Sequence, residues 1–155
     1  MYAEILNGKI THYRGDTLTT PIRIFEGDRL CPTQYILNAN DVLYLGIMEP
    51  GQAFEDAVIK KVFTSNSEKD ADGNVILHLK STDTEFVAPG TYYYTLKLKQ
   101  FINDKEVIST ILKPTLFWLL GNIPDNIEHD WEDKKVIILD GGEITMPDNV
   151  KGVTQ

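Results

Sequence analysis

The stretch Ala88-Pro-Gly-Thr-Tyr-Tyr-Tyr-Thr-Leu-Lys-Leu-Lys99 decides the fold class of this chain. From Tyr92 to Leu98 every second residue is apolar, whereas the positions between them end in Lys97 and Lys99. A period of two is typical of a β-strand that buries one face and exposes the other. The proline and glycine ahead of it favour a turn, because proline fixes φ and glycine accepts positive φ. We therefore predict a half-buried strand here.

Two β-hairpins are predicted on either side of this turn. Residues 103–105 favour a turn between strands at residues 92–101 and 106–112. Strands at residues 57–63 and 75–80 are joined by a polar loop that ends in the turn dipeptide Asp-Gly. The second hairpin is therefore predicted to pair these two strands. In its second strand, Val75, Leu77 and Leu79 are expected to face the core.

Three more strands and one helical turn complete the predicted elements. The strands lie at residues 9–13, 17–25 and 42–48, each bounded by glycine, asparagine, aspartate or proline. Pro21 cannot donate a hydrogen bond to a ladder, so its strand is expected to be an edge or to carry a bulge. A single helical turn is expected at residues 81–85, capped by its serine or first threonine. About seven strands at these spacings predict an all-β sandwich.

Length and charge limit the possible partners. With 155 residues the chain has room for one domain with a core and a short extension. Its net charge of −8 repels phosphate, so we expect no nucleic acid bound through a broad basic face. No apolar run is long enough to span a bilayer and no secretory signal is visible, so we expect no membrane partner. Cys31, the only cysteine, is expected to be a small buried residue.

The composition changes after Trp118. Residues 121–133 contain aspartates and glutamates without lysine or arginine, which is typical of a solvated linker. Residues 136–139 and 143–146 then predict a short strand, a turn and a second strand. This apolar mass is too small to fold alone, so the tail is expected to dock on its own sandwich or to reach a neighbouring subunit.

The predicted domain organisation is a β-sandwich over residues 1–120 and an acidic linker with a C-terminal tail over residues 121–155. Strand addition from the tail to a neighbour would gain main-chain hydrogen bonds along an open edge. A lone tryptophan in the linker is either a staple onto the sandwich or an anchor for a partner. The residues predicted to bind a partner are Trp131, Val136, Ile137, Ile138 and Leu139.

The sequence offers no constellation of catalytic or metal-ligating residues. The histidines, His12, His78 and His129, are scattered and form no ligand pair, and no phosphate-binding or nucleophile motif is present. The segment Asp70-Ala-Asp-Gly-Asn74 alternates oxygen ligands of the kind that Ca²⁺ prefers. A plain turn is favoured there, because no glutamate follows at the EF-hand spacing. We therefore predict no catalytic residue, no metal site and no cofactor.

One outward aromatic residue leaves a second class of function open. Of the three consecutive tyrosines that begin at Tyr92, only Tyr93 is predicted to point away from the core. Packing within the strand is favoured for it. A carbohydrate or host-surface binding module that uses Tyr93 is the alternative. Phe117 and Trp118 are expected to close the base of the sandwich.

Four stretches together resemble a known domain family. They are Arg14-Gly-Asp-Thr-Leu-Thr-Thr-Pro-Ile-Arg-Ile24, Asp41-Val-Leu-Tyr-Leu-Gly-Ile-Met48, Lys80-Ser-Thr-Asp-Thr84 and the stretch from Ala88 to Lys99. Their order is similar to the immunoglobulin-like N-terminal domain of phage baseplate upper proteins, over residues 9–118. The resemblance implies an immunoglobulin-like β-sandwich and brings no catalytic residue with it.

The resemblance also implies a role in a virus particle. In that family the domain attaches receptor-binding or fibre components to the tail core, and a longer C-terminal portion usually builds the partner-binding part. Only 37 residues follow Trp118 in this chain. The function expected from the resemblance is that of a non-enzymatic structural or adaptor protein of the virion. The protein is expected to assemble in the host cytoplasm and to bind other phage structural proteins and further copies of itself. A capsid decoration protein, a head-fibre base and a tail adaptor stay open.

Overall fold

A computed structural model describes residues 1–121 and the backbone of two short strands further along the chain. The chain divides into two units, Met1–Gly121 and Asn122–Gln155. The first unit consists mainly of β-strands, so the predicted all-β class is confirmed. Its elements are β1 (Tyr2–Ile5), β2 (Ile10–Tyr13), β3 (Leu18–Glu26), β4 (Thr33–Gln34), β5 (Val42–Met48), a 3₁₀ turn (Phe54–Asp56), β6 (Ile59–Thr64), β7 (Ile76–Leu79), α1 (Ser81–Thr84), β8 (Gly90–Ile102) and β9 (Lys105–Leu120).

These strands form two sheets that pack as a sandwich. The five-stranded sheet has the order β2-β9-β8-β5-β6, in which β2 is parallel to β9 and the other neighbours are antiparallel. In the four-stranded sheet β3 pairs antiparallel with β1, β4 and β7. The chain crosses from the first sheet to the second between β6 and β7, and returns through α1 to β8.

The core lies between the sheets and comes from alternate residues of their strands. Tyr94, Leu96 and Leu98 of β8 are at most 1% exposed. From the other sheet, Leu77 and Leu79 of β7 are each 1% exposed. Both sets follow the period of two read from the sequence, so the predicted inward faces of these strands are confirmed. Burial of this many large side chains is the main favourable term in folding.

The hairpin predicted around residue 103 is confirmed. β8 and β9 pair antiparallel, and Asn103 and Asp104 connect them with φ values of 53° and 63°. Two consecutive positive φ values give the turn whose twist matches that of the flanking strands. The register shifts near Leu96, where the facing part of β9 contains Pro114. A bulge accommodates proline because the local ladder is already interrupted.

The second predicted hairpin is wrong in its pairing. β6 pairs with β5, and β7 pairs with β3 in the other sheet. The loop between β6 and β7 first folds on itself, because the Asp70 carboxylate accepts hydrogen bonds from the backbone N–H groups of Asp72 (3.0 Å) and Asn74 (2.9 Å). The chain then enters the opposite sheet. An alternating pattern selects the buried face of a strand, but it does not select the neighbouring strand.

The number of strands also exceeds the predicted seven. The additional ones in the first unit are β1, which has four residues, and β4, whose two residues are both exposed and give no apolar signal. Pro21 lies opposite Ile76 of β7, one residue beyond the ladder to β1, which ends at Ile22. The missing donor of Pro21 therefore falls where β3 has a strand on one side only, which is a local edge.

Cys31 is exposed, so the prediction of a buried cysteine is wrong. It lies in the loop between β3 and β4, where its backbone N–H donates to the Asp28 carbonyl over 3.0 Å and Leu30 is 88% exposed. A residue in a short loop has no periodicity from which its burial can be inferred.

In the second unit the described backbone is a pair of strands. β10 (Ile137–Ile138) pairs antiparallel with β11 (Ile144–Thr145). The two predicted strands are thus confirmed over shorter spans, whereas the turn between them lies outside the described residues. The acidic linker predicted from residue 121 to residue 133 lies outside the described residues beyond Gly121.

The helical turn predicted at residues 81–85 is confirmed as α1, with Lys80 in place of the expected serine or threonine at its cap. The Asp83 carboxylate holds this turn. It accepts hydrogen bonds from the Lys80 backbone N–H and from Lys61 Nζ of β6, each over 2.7 Å. Burial acts to raise the pKa of Asp83, but the hydrogen bonds and positive charges of Lys61 and Lys80 outweigh it and lower the pKa below 3.8.

We expect Leu98→Ala to lower the free energy of unfolding by about 2 to 5 kcal/mol, because it opens a cavity in the core. Ile108→Ala on β9 is the control, since Ile108 is 58% exposed, and its cost should stay near 0.5 kcal/mol. Urea unfolding followed by circular dichroism measures both. Equal costs for the two variants would contradict the described orientation of the β8–β9 hairpin.

We expect Asp83→Asn to cost about 1 kcal/mol of stability at neutral pH, because it removes a carboxylate that accepts charged and backbone donors. A carboxyl group with a lowered folded-state pKa stabilises above its unfolded pKa, and this contribution is lost as the pH falls through the folded value. The difference from wild type should therefore shrink as the pH falls below 3.8. Glu85→Gln, at an exposed neighbouring site, should change little at any pH. A pH-independent cost for Asp83→Asn would rule out the charge effect.

Candidate functional site

The outward side of the five-stranded sheet carries exposed apolar side chains. Leu43 and Leu45 of β5 are buried, so the alternate residue Tyr44 and its cross-strand neighbours point away from the core. The exposed large apolar residues on this side are Tyr13 (53%), Val62 (58%), Phe101 (51%), Ile108 (58%) and Trp118 (44%). Clustered exposed apolar residues, unlike single ones, mark contact surfaces.

The register of the sheet places these residues in rows. Val62, Tyr44 and Lys97 lie side by side on β6, β5 and β8. In the adjacent row Lys99 of β8 lies beside Ile108 of β9. Neighbouring strands are about 5 Å apart, so the side chains of a row form a continuous surface. We call the surface formed by Tyr44, Phe54, Val62, Lys97, Lys99, Phe101 and Ile108 the lysine-aromatic face.

The lysines of this face lie over aromatic rings. The Nζ atom of Lys97 is 5.4 Å from the ring centroid of Phe54, and that of Lys99 is 5.9 Å from Tyr44 and 6.0 Å from Phe101. Toward the other end of the same side of the sheet, Lys9 Nζ lies 5.5 Å from the ring of Trp118, which pairs with Thr91 at the start of β8. Such contacts hold the ammonium group by the negative face of the ring and leave its donors in water.

Phe54 reaches the face because β5 contains a glycine. A Cβ atom built on Gly46 would lie 2.6 Å from Phe54 Cε2 and 2.9 Å from Phe54 Cδ2. The absence of a side chain at Gly46 therefore lets the ring of the 3₁₀ turn lie directly over the strand. The backbone N–H of Val58 donates to the Ile47 carbonyl over 2.8 Å, which anchors the end of this turn to β5.

A partly buried polar network supports the hairpin that carries Phe101. The Tyr35 hydroxyl donates to the Asp41 carboxylate, and Gln100 Nε2 donates to the Tyr35 hydroxyl over 3.0 Å. Asp41 also accepts the backbone N–H of Asn38 over 2.9 Å. Burial and the nearby Asp41 carboxylate raise the pKa of Tyr35 to about 12. The hydroxyl therefore stays protonated and keeps donating its hydrogen bond.

No carboxylate of residues 1–121 forms an ion pair with Lys9, Lys97 or Lys99. The chain as a whole has 23 aspartates and glutamates against 15 lysines and arginines. The acidic excess of the sequence is thus not used to neutralise this group of lysines within the described sandwich. The lysine-aromatic face therefore combines exposed apolar area with positive charge that no carboxylate of residues 1–121 neutralises.

The residues predicted to bind a partner are only partly described. Ile137 and Ile138 form β10, whereas Trp131, Val136 and Leu139 lie outside the described residues. Within the sandwich, Tyr93 is half-buried on the outward side of β8, as predicted. The expectation that Phe117 and Trp118 close the base of the sandwich is half wrong, because Phe117 is 1% exposed and Trp118 is 44% exposed on the outward side of the sheet.

Sequence reasoning missed the lysine-aromatic face as a unit. The alternation of β8 signals that Lys97 and Lys99 point outward, but their neighbours come from strands that are distant in sequence. Tyr44 and Val62 join them only because β5 separates β6 from β8 in the sheet. Phe54 gives no signal at all, since its place depends on a 3₁₀ turn and a glycine in another element.

The other residues considered for chemistry have structural roles. The Asp70 carboxylate holds the turn before β7, and these hydrogen bonds lower its pKa. His12 is buried in β2 and its Nε2 donates to the Asp16 carbonyl over 3.1 Å. His78 Nε2 donates to the Glu68 carboxylate over 2.7 Å at the surface. Within the described residues no three potential ligands cluster around one point, and His129 lies outside them.

The fold and this surface define the class of protein: an all-β sandwich that exposes a lysine- and ring-bearing sheet face. Neither a scan against protein-family models nor a search of curated proteins finds a match to the chain. No helix among the described residues is long and apolar enough to cross a membrane.

We expect the double substitution Val62→Ser and Ile108→Ser to lower the free energy of unfolding by less than about 1 kcal/mol, because both side chains are 58% exposed. The same variant should bind less of the fluorescent dye anilinonaphthalene sulfonate, which reports exposed apolar surface. Chemical denaturation and dye titration provide the two measurements. A loss of several kcal/mol would mean that these side chains are packed in the monomer and that the face is not open.

Proposed function

We propose that this protein is a non-enzymatic structural or adaptor protein of a bacteriophage particle, which joins virion components through protein–protein contacts. The observation that carries the proposal is the lysine-aromatic face, where exposed apolar side chains such as Val62 and Ile108 cluster on one sheet. A rigid sandwich that presents such a face is suited to contact with another protein. The resemblance to phage baseplate upper proteins supplies the setting.

The immunoglobulin-like assignment is part of this proposal, and the strand order supports it. One sheet contains β1, β3 and β7, and the other contains β9, β8 and β5 flanked by β2 and β6. Immunoglobulin domains likewise divide their strands between an A-B-E sheet and a C-F-G sheet, which β6 extends beside β5 as strand C′ does. The Tyr92 hydroxyl donates to the Ala88 carbonyl over 2.5 Å. This contact is similar to the tyrosine corner at the start of strand F.

The partners in this proposal are other phage structural proteins and further copies of the chain. We retain the hypothesis that the tail around residues 136–146 adds a strand to a neighbouring subunit. Strand addition joins β-modules by main-chain hydrogen bonds and needs little sequence identity between the partners. The protein would act in the virion after assembly in the host cytoplasm. Baseplate or tail attachment, fibre attachment, capsid decoration and a head-fibre base are variants of this one role.

A carbohydrate or host-surface binding module is the second candidate. The observation that favours it is Tyr93, which lies on the outward side of β8 with Met48 of β5 opposite it. An aromatic ring on an open sheet is a platform on which a sugar ring can stack. Loss of glycan binding in a Tyr93→Ala variant of unchanged stability would favour this candidate over the adaptor.

Deleting residues 122–155 should leave a folded sandwich that no longer assembles with its partner components, because the proposed role of the tail is contact with a neighbour. Circular dichroism and thermal unfolding measure the first part, and sedimentation with purified virion components measures the second. Ile138→Asp in the full-length chain is a milder version that should weaken assembly without loss of the sandwich signal. Unfolding of the truncated chain would instead make the tail part of its own core.

A further inference from the structure

We propose that the lysine-aromatic face docks an acidic polypeptide segment that also carries apolar side chains, supplied by a partner protein. The inference rests on the proposed contact function and names the chemistry of the partner. Three observations carry it: the lysines without a carboxylate partner among residues 1–121, the exposed aliphatic side chains beside them, and the contacts that position Phe54 and the strand end at Phe101.

The two lysines give the face its charge preference. Lys97 and Lys99 lie on adjacent outward positions of β8, and each contacts aromatic rings rather than carboxylates within residues 1–121. A ring contact satisfies the charge in part but leaves the ammonium donors free for an anion. Carboxylates on a partner segment would accept those donors and form charge-assisted hydrogen bonds. The lysines therefore select a negatively charged partner.

Exposed apolar side chains flank the lysines. Val62 and Ile108 are 58% exposed on either side of the central strands, and Phe101 is 51% exposed at the hairpin end. These side chains gain from burial against apolar groups and gain nothing from carboxylates. A segment that mixes acidic and apolar residues matches both parts of the face, whereas a purely acidic tract matches only the lysines.

Parts of the face are ordered by contacts within the sandwich. Gly46 allows the Phe54 ring to lie over β5, and the Tyr35 hydroxyl holds Gln100 next to Phe101. The fold thus positions the Phe54 ring and the strand end at Phe101 before a partner arrives. A surface that is already ordered loses less conformational entropy on binding, so it binds more tightly for the same contacts.

Single-stranded nucleic acid is the other polyanion that rings and lysines can bind. It is disfavoured here because Glu106 lies opposite Phe101 on the same side of the hairpin, and the exposed Glu55 and Asp56 follow Phe54. A phosphate backbone carries a charge at every nucleotide and cannot avoid these carboxylates or the net charge of −8. A peptide can place its carboxylates opposite the lysines alone.

The test uses the full-length protein and a fluorescently labelled synthetic peptide made of Ser-Glu-Leu-Glu repeats. We expect wild-type protein to bind this peptide with an affinity that falls as salt rises, since the ion pairs are partly exposed. The same peptide with glutamine in place of glutamate should bind at least about tenfold more weakly. A labelled oligothymidylate is the third probe and should bind more weakly than the acidic peptide.

The variant that tests the face is Lys97→Glu with Lys99→Glu, which should weaken peptide binding about tenfold or more. Its matched control is Arg23→Glu with Lys105→Glu, which makes the same change in net charge at two exposed cationic side chains outside the face. Val62→Ser with Ile108→Ser should also weaken binding, and circular dichroism checks that each variant is folded. Equal loss in the control variant, or no loss in the face variant, would overturn the proposal.

The remaining outcomes are also decisive. Tighter binding of oligothymidylate than of the peptide would assign the face to nucleic acid, and absence of any peptide binding would reject an acidic partner. Mass spectrometry of purified phage particles tests the proposed function separately. Peptide binding by a protein that is missing from the particle would remove the virion role and leave the acidic docking face intact. Presence of the protein in the particle without peptide binding would support the virion role and reject the acidic docking face.

Discussion

The burial of alternate side chains along β8 is the constraint on which the rest of the structure depends. Tyr92, Tyr94, Leu96 and Leu98 enter the core between the sheets, so the residues between them must point outward. The alternation along β8 therefore places one set of side chains in the core and the lysines of the lysine-aromatic face on the outer side. Because β8 lies at the centre of its sheet, both of its neighbours inherit this division into an inner and an outer side.

The tyrosines on the inner side of β8 add a second constraint. A buried hydroxyl needs a partner, and Tyr94 donates to the backbone carbonyl of Gly8 in the turn between β1 and β2. Burial raises the pKa of Tyr94 to about 12, so this donor stays protonated at physiological pH. The contact ties the turn between β1 and β2 to the central strand of the five-stranded sheet. Tyr92 does the same for the loop that precedes β8, through the carbonyl of Ala88.

How much of this could be predicted from the sequence depends on how local each feature is. The β8–β9 hairpin is predictable because its turn residues and its alternation are contiguous. The pairing of β6 with β5 is not, because a period of two is equally satisfied by either sheet of a sandwich. β4 has no buried residue, so no apolar pattern marks it as a strand. Cys31 lies in a loop without alternating apolar residues, so its exposure could not be inferred either. The lysine-aromatic face could not be predicted for the same reason as the pairing of β6. Its residues come together through the order of the strands in the sheet, and no local pattern in the sequence specifies that order.

The charge of the chain illustrates the difference between a global and a local quantity. A net charge of −8 predicts solubility and repulsion of polyanions at a distance. At the surface, however, interactions are screened beyond about 8 to 10 Å, so a partner in contact responds to the groups within that range. At the lysine-aromatic face those groups include Lys97 and Lys99 over rings that fix their position. An acidic protein can therefore present a site for an acidic segment, provided that its own carboxylates lie at the margin of the site rather than within it.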